Sequence, residues 1–316
     1  MAALKLAFCI DPLDRLKPYK DSSVAMMREA AKRGHEIHAF EARHMFYNGV
    51  VCAQALRIAV RDSNDTWFEP CGEQTQPLTV FDAVIMRKDP PFDMEYFYST
   101  LLLEKAEEQG AKVFNRARAL RDYNEKFAIT KFPQFNVPML VSKDAARLHG
   151  FIDEMGDTIF KKLDGMGGTS IFRVRKDDPN RNAMVEVLTG LGTQTVMAQR
   201  YIPEISQGDK RILIIGGTAV PYSLARIPKE GETRGNLAAG GRGVAQPLSA
   251  RDREIAETLA PKLLADGLIF AGLDVIGDFL TEVNVTSPTC MVEIFDQTGF
   301  NSAALFVEAV EKAISA

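Results

Sequence analysis

Cysteine is scarce in this chain. Cys9, Cys52, Cys71 and Cys290 are the only four among 316 residues, with no C-x-x-C pair and no staple-like spacing. That pattern fits reduced thiols in a cytosolic protein and excludes the disulfide framework of a small secreted domain. Long apolar runs are also missing, since no stretch approaches the 18 residues that a membrane helix needs. The start, Met1 to Ile10, carries one lysine and runs straight into Asp11-Pro12. Lacking a long apolar core and a small-residue cleavage site, it reads as a first strand rather than a signal peptide. A soluble cytoplasmic protein with no membrane partner is expected. Charge of one sign is lacking too: 38 basic against 42 acidic residues give 38 − 42 = −4, so neither a general polyanion binder nor a nucleic-acid partner is expected. There is no internal repeat and no low-complexity tract. No Ser/His/Asp or Cys/His arrangement suggests a covalent protein nucleophile, and a strand surface accounts for His35, His38 and His44 better than a metal site does.

What is present is an ordinary globular composition, 46% hydrophobic and 25% charged, which excludes disorder and collagen-like structure. At about 150 residues per domain, the length suggests two or three domains. Over the first 120 residues strand-like and helix-like segments alternate. Leu4–Ile10, His35–Phe40, Phe81–Arg87 and Lys112–Asn115 read as strands, Ser22–Arg33 and Phe92–Gln109 as helices, with Gly34 and Gly110 as stops. This rhythm predicts a parallel-sheet α/β domain over 1–122. After Asp122 the strand candidates come in adjacent pairs: Thr158–Lys162 with Ile171–Val174, Lys210–Ile215 with Ala219–Leu224, and Leu268–Ile276 with Phe279–Val285. Short glycine-containing links between them predict antiparallel hairpins. Helices are expected over 143–155, 180–188, 252–264 and 301–314. The fold class is therefore α/β with an α+β C-terminal part, divided at 1–122, 123–202 and 203–316.

Three segments suggest chemistry. In Leu163-Asp164-Gly165-Met166-Gly167-Gly168-Thr169-Ser170 the glycines let backbone N–H groups crowd onto a ligand. A strand follows instead of a helix, so the loop is either a flap over phosphates or a flexible hairpin tip. Lys161 and Lys162 precede it on opposite strand faces, so only one of them can share the flap's ligand. Next, Asp274 lies within an apolar strand, where an unpaired carboxylate is costly. Glu282 and Asn284 share one face of the following strand, either as hard oxygen donors for Mg²⁺ or as a solvated edge. A two-residue Gly277-Asp278 turn would pair 274 with 281, leaving the two carboxylates on opposite faces. Joint metal binding therefore predicts an odd loop, Gly277–Phe279, pairing 274 with 282. Finally, Arg226 to Gly243 carries Arg226, Arg234 and Arg242 among five glycines, Gly231, Gly235, Gly240, Gly241 and Gly243. That is either a pliant anion-binding lid or a solvated loop. Arg87-Lys88-Asp89, at a strand end, is a carboxylate holder or a plain turn.

Together these segments resemble the bacterial glutathione synthetases, members of the ATP-grasp ligases. The matching stretches include Met86-Arg87-Lys88-Asp89-Pro90-Pro91-Phe92, the glycine loop, Leu224-Ala225-Arg226-Ile227-Pro228, the lid, and Leu280 to Pro288. The resemblance implies an N-terminal parallel domain followed by two ATP-grasp lobes, and an enzyme joining γ-glutamylcysteine and glycine through an acyl phosphate. It implies Lys126 and Lys161 at the nucleotide phosphates, with Gly165, Met166, Gly167 and Gly168 as the flap. Gln199, Tyr201 and Ile202 would surround the adenine, and Asp209 would lie near the ribose. Asp274, Glu282 and Asn284 would bind Mg²⁺, with Mn²⁺ as a substitute. Arg226, Arg234 and Arg242 would be catalytic, and Arg87 and Ser287 would contact substrate. Lys162 departs from the family pattern, which has proline there. A homotetramer is implied as well. The alternatives are a D-alanine–D-alanine or peptide-tail glutamate ligase, and a non-catalytic ATP-binding module.

Overall fold

A computed structural model describes residues 3–229, 231, 235, 237 and 240–315. Strand β1 (Lys5–Cys9), helix α1 (Ser22–Lys32), β2 (Glu36–Phe40), β3 (Met45–Asn48), β4 (Val50–Val60), β5 (Phe68–Pro77), β6 (Ala83–Met86), α2 (Met94–Glu108), β7 (Val113–Phe114) and α3 (Ala117–Asp122) form the first part. Asp21 caps α1 by accepting from the Ser23 and Val24 amides, and Gly34 leaves the helix at φ +88°. β2, β1, β6 and β7 are parallel neighbours, as their βαβ connections demand. The sheet as a whole is not parallel, because β3, β4 and β5 add to it antiparallel. The expected parallel-sheet domain is present in β2, β1, β6 and β7, and the added strands β3 to β5 went unread for a physical reason. β5 is exposed over most of its length, so it carries no apolar alternation to read.

The second sheet comprises β8 (Met139–Ser142), β9 (Asp157–Lys162), β10 (Ile171–Arg175) and β11 (Val196–Arg200), in the order β10-β9-β11-β8 and wholly antiparallel. Helices α4 (Ala145–Met155) and α5 (Arg181–Leu188) cover it. The third comprises β12 (Asp209–Ile215), β13 (Thr218–Ile227), β14 (Arg242–Pro247), β15 (Phe270–Ile276) and β16 (Phe279–Asn284), in the order β14-β13-β12-β15-β16, also antiparallel. Helix α6 (Ala250–Ala265) begins with a Ser249/Asp252 capping box. α7 (Met291–Thr298), which sequence reading did not anticipate, and α8 (Ser302–Ser315) close the chain. α8 packs on α1, where Glu311 meets His35 at 2.8 Å and Arg33 at 2.9 Å. No helix among the described residues is long and apolar enough to cross a membrane.

The β15–β16 turn corrects one expectation and preserves its consequence. Ile276 pairs with Phe279, so the link is the even two-residue turn, not the odd loop. A bulge then leaves Thr281 unpaired, and Asp274 faces Glu282 after all. One extra residue shifts the register, and with it the face every later side chain takes.

Candidate functional site

The second and third sheets enclose a cleft with about 1480 Å³ of atom-free space, including its open mouth. One end is apolar, lined by Ile159, Ile171, Ile202, Ile205 and Ile276 together with Tyr201. Tyr201 is stacked under the Arg173 guanidinium at 3.6 Å. Gln199 borders this end, and its buried Nε2 has no hydrogen-bond partner among the described residues. A flat heteroaromatic ring offering an acceptor would suit the slot.

The other end is charged. On β9 the alternation turns Lys161 into the cleft, where it is buried, while Lys162 is not among the lining residues. The Lys161 ammonium lies 3.4 Å from a Glu282 carboxylate oxygen, and Lys126 lies 3.9 Å from the same oxygen. Lys126 also donates to the Gly165 carbonyl at 2.5 Å. The glycine loop joins antiparallel β9 and β10, with Gly167 at φ +59° and Gly168 at φ +81°. Those angles suit residues without a Cβ. Gly165, Met166, Gly167 and Gly168 all line the cleft.

Behind the lysines sits a buried quartet. Arg211 grips Asp274 by Nε–Oδ1 at 2.5 Å and Nη2–Oδ2 at 3.1 Å. Arg226 reaches Asp274 at 2.8 Å and Asp209 at 2.6 Å. Burial pushes the Asp274 carboxyl up, but the two guanidinium groups outweigh it and hold the group well below the usual carboxylate range. Asp209 is dominated by its burial, opposed by Arg226, and is pushed up to about 6. Among the described residues its Oδ1 has no hydrogen-bond partner. For Glu282 burial again works upward, and Lys126 and Lys161 overcome it. Over the whole cleft the charges balance, with Lys126, Lys161, Arg200, Arg211 and Arg226 against Asp89, Glu125, Asp209, Asp274 and Glu282 giving 5 − 5 = 0, so what suits a polyanion is the local placement of Lys126 and Lys161 beside the glycine loop.

The two carboxylates and the Asn284 amide are hard donors placed along paired β15 and β16. Asn284 spends its Nδ2 on the Gly272 carbonyl at 3.2 Å, which leaves Oδ1 to accept from or ligate another group. The described residues hold no cluster of three His, Cys, Asp or Glu side chains, so the oxygen set here is two carboxylates and one amide. These donors fit a hard divalent cation that also takes phosphate oxygens. Asp274 shares its oxygens with two arginines, whereas Glu282 is ion-paired with Lys126 and Lys161, which an arriving phosphate chain would engage.

Of the arginine segment from Arg226 to Gly243, residues 226–229, 231, 235, 237 and 240–243 are described. Arg226 lies on β13 and is buried, and Arg242 is exposed where β14 starts, outside the cleft lining. Arg234 lies outside the described residues. Two of the segment's glycines serve close approach rather than freedom. A Cβ on Gly235 would stand 2.2 Å from the Arg226 carbonyl oxygen, and one on Gly241 2.2 Å from that of Gly235. Ser287 lines the cleft, but Arg87 does not. Arg87 is buried, donating to Ser23 at 2.8 Å and to the Pro288 carbonyl at 2.9 Å, so it braces the cleft wall from behind. Sequence reading missed Arg211 and Glu125. Arg211 gave only a weak signal, since it closes the charged run Asp209-Lys210-Arg211 ahead of Ile212-Leu213-Ile214-Ile215, whereas Asp274 stands alone among apolar residues.

Two antiparallel lobes closing on an apolar slot, a glycine flap and a pair of buried lysines define an ATP-grasp ligase. The architecture matches solved structures of that class. D-cycloserine synthetase DcsG aligns with TM-score 0.69 at 13% identity over 98% of this chain and 99% of that one. The ATP-grasp ligase PsnB, complexed with a minimal precursor, aligns with TM-score 0.64 at 16% identity over 99% of both chains. At such identities the likeness concerns the fold alone. Residues 4–121 match the N-terminal domain of prokaryotic glutathione synthetase and residues 125–299 its ATP-grasp domain. The chain is 57% identical to a glutathione synthetase of Bordetella parapertussis, covering 98% of this chain and 99% of the relative. It is 56% identical to one of Neisseria meningitidis, covering 97% and 98%. The chain belongs to the prokaryotic glutathione synthetase family, and is an ATP-dependent carboxylate–amine ligase of glutathione synthesis.

Proposed function

We propose that this chain joins the cysteinyl carboxylate of γ-glutamylcysteine to the amine of glycine, through an acyl phosphate made with ATP. The observation that carries the reading is the facing of Lys126, Lys161 and the glycine loop against Asp274, Glu282 and Asn284 across one cleft. A carboxylate resists amine attack because it is anionic and has no good leaving group. Phosphorylation by the γ-phosphoryl group supplies that leaving group, and the amine then expels phosphate, leaving ADP and an amide. Such transfer depends on positioning and charge neutralisation.

In this scheme Lys126 and Lys161 draw the phosphate oxygens, and the amides of 165–168 cover them. Gln199, Tyr201 and Ile202 hold the adenine, and the Asp209 Oδ1, which has no partner among the described residues, accepts from a ribose hydroxyl. Glu282 and Asn284, with Asp274, would hold Mg²⁺, or Mn²⁺ in its place, and a bound cation would screen phosphate charge. Arg226, fixed by two carboxylates, steadies negative charge on the transferred group and the tetrahedral intermediate. Ser287 approaches the substrate from the cleft wall, Arg234 would supply a further catalytic charge, Arg242 lies outside the cleft lining, and Arg87 keeps the 287–290 wall in place. The divisions 1–122, 123–202 and 203–316, a cytoplasmic location and a homotetramer belong to the same reading. Light scattering tests the assembly.

Phosphate release with γ-glutamylcysteine plus glycine, against D-alanine alone, tests the activity. Release only with the first pair is expected. Release with D-alanine, or with neither, would overturn it.

A further inference from the structure

Glu125, which none of the chemistry above uses, makes an unusual set of contacts. Its Oε1 accepts from the Val285 amide at 3.2 Å, the Thr286 amide at 3.3 Å and the Thr286 hydroxyl at 2.7 Å. Its backbone carbonyl accepts the Val283 amide at 2.8 Å. Residue 125 thus pairs along the outer edge of β16, the last strand of its sheet. It holds both the alternate position between Glu282 and Asn284 and the two residues that follow. Its neighbours reach the glycine loop: Asn124 donates to the Leu163 carbonyl at 3.0 Å and Lys126 to Gly165 at 2.5 Å. Asn115 pins the same strand end from the N-terminal part, donating to the Val285 carbonyl at 3.0 Å.

An edge strand has one row of backbone groups free to slip or fray, and a one-residue slip would turn Glu282 and Asn284 away from the cleft. The bulge at Thr281 makes that register less secure, because the ladder is already broken beside the donors. A carboxylate taking three hydrogen bonds is a strong, charge-assisted clamp. We propose that Glu125 is a positioning residue: it locks the exit of β16 in the register that presents Glu282 and Asn284 to the cation. The inference rests on the reading that these two side chains hold a divalent cation. Partners of this kind behind metal ligands tune affinity by about 10–100-fold.

The experiment measures amide hydrogen exchange of the metal-free chain, Mn²⁺ affinity of the ADP complex by electron paramagnetic resonance, and ADP affinity without metal. In Glu125→Ala, exchange at Val283, Val285 and Thr286 should quicken about tenfold and Mn²⁺ affinity fall about tenfold. Metal-free ADP affinity should stay within about twofold, since the adenine slot and Lys161 are untouched. Glu125→Gln, which keeps an acceptor oxygen, should recover much of both effects. Thr286→Val removes only the hydroxyl bond, so it reads the same clamp in a milder variant should Glu125→Ala fail to fold. It should weaken Mn²⁺ about threefold. Parental Mn²⁺ affinity in Thr286→Val and any folded Glu125→Ala, or equal loss of Mn²⁺ and metal-free ADP, overturns the proposal. Glu282→Gln separates the premises. If it binds Mn²⁺ as the parent does, the cation reading itself fails. If it loses Mn²⁺ while Glu125→Ala keeps it, only the positioning role fails.

Discussion

Replacing Asp274 with Asn perturbs the buried quartet at its centre. Asp274 is 3% exposed, and both of its oxygens meet guanidinium nitrogens, at 2.5 Å and 3.1 Å from Arg211 and 2.8 Å from Arg226. Two aspartates and two arginines are neutral together, 2 − 2 = 0; the substitution leaves Arg211 and Arg226 against Asp209 alone, a buried net charge of 2 − 1 = +1. Removing one partner of a buried pair costs about 3–5 kcal/mol, because the remaining charge has lost its compensation. That is a large share of the roughly 5–15 kcal/mol by which a domain is stable. The assay is urea unfolding of the metal-free protein followed by circular dichroism, with Arg211→Met and the double variant completing a cycle. Each single change should cost about 3–5 kcal/mol, whereas the double change removes a neutral pair and should cost well under the sum. Additivity within about 0.5 kcal/mol would refute the charge-compensation argument.

Other outcomes follow from the same geometry. Asp209 is raised to about 6 in the folded chain against 3.8 ordinarily, so between those values the folded state holds a proton that the unfolded state has lost. Its contribution to stability is complete below pH 3.8 and is lost as pH rises towards 6. Asp209→Asn should flatten that part of a stability–pH curve; an unchanged slope refutes it. For Arg226→Ala, kcat should fall about 100-fold as a preorganised donor is lost, and a fall within about threefold removes its proposed role. Lys161→Met should raise the KM for ATP more than about tenfold while Lys162→Met changes it less than about twofold. Equal effects would contradict the inward placement of Lys161. Gly235→Ala puts a Cβ 2.2 Å from the Arg226 carbonyl and should cut kcat/KM about tenfold with the melting temperature nearly unchanged, because only the local approach is blocked. Parental kinetics would refute the close-packing role.

Local chemistry written in the chain determined more than a fold class. Proline and glycine positions, Gly34 and Gly110 as helix stops among them, and the alternation of apolar runs marked most helices and hairpins. The glycine loop and the isolated Asp274 marked both sides of the cleft, because a glycine cluster and a charge in an apolar strand are anomalies visible without neighbours. Tertiary structure alone decided the rest. The inward lysine, the bulge that brings Asp274 opposite Glu282, and the capture of Arg226 by strand β13 depend on register between segments distant along the chain. Arg211 and Asp274, 63 positions apart, illustrate the reason. Whether a buried charge is a ligand, a strut or a liability is set by which opposite charge packs against it, and that partner is chosen by strand pairing rather than by adjacent sequence.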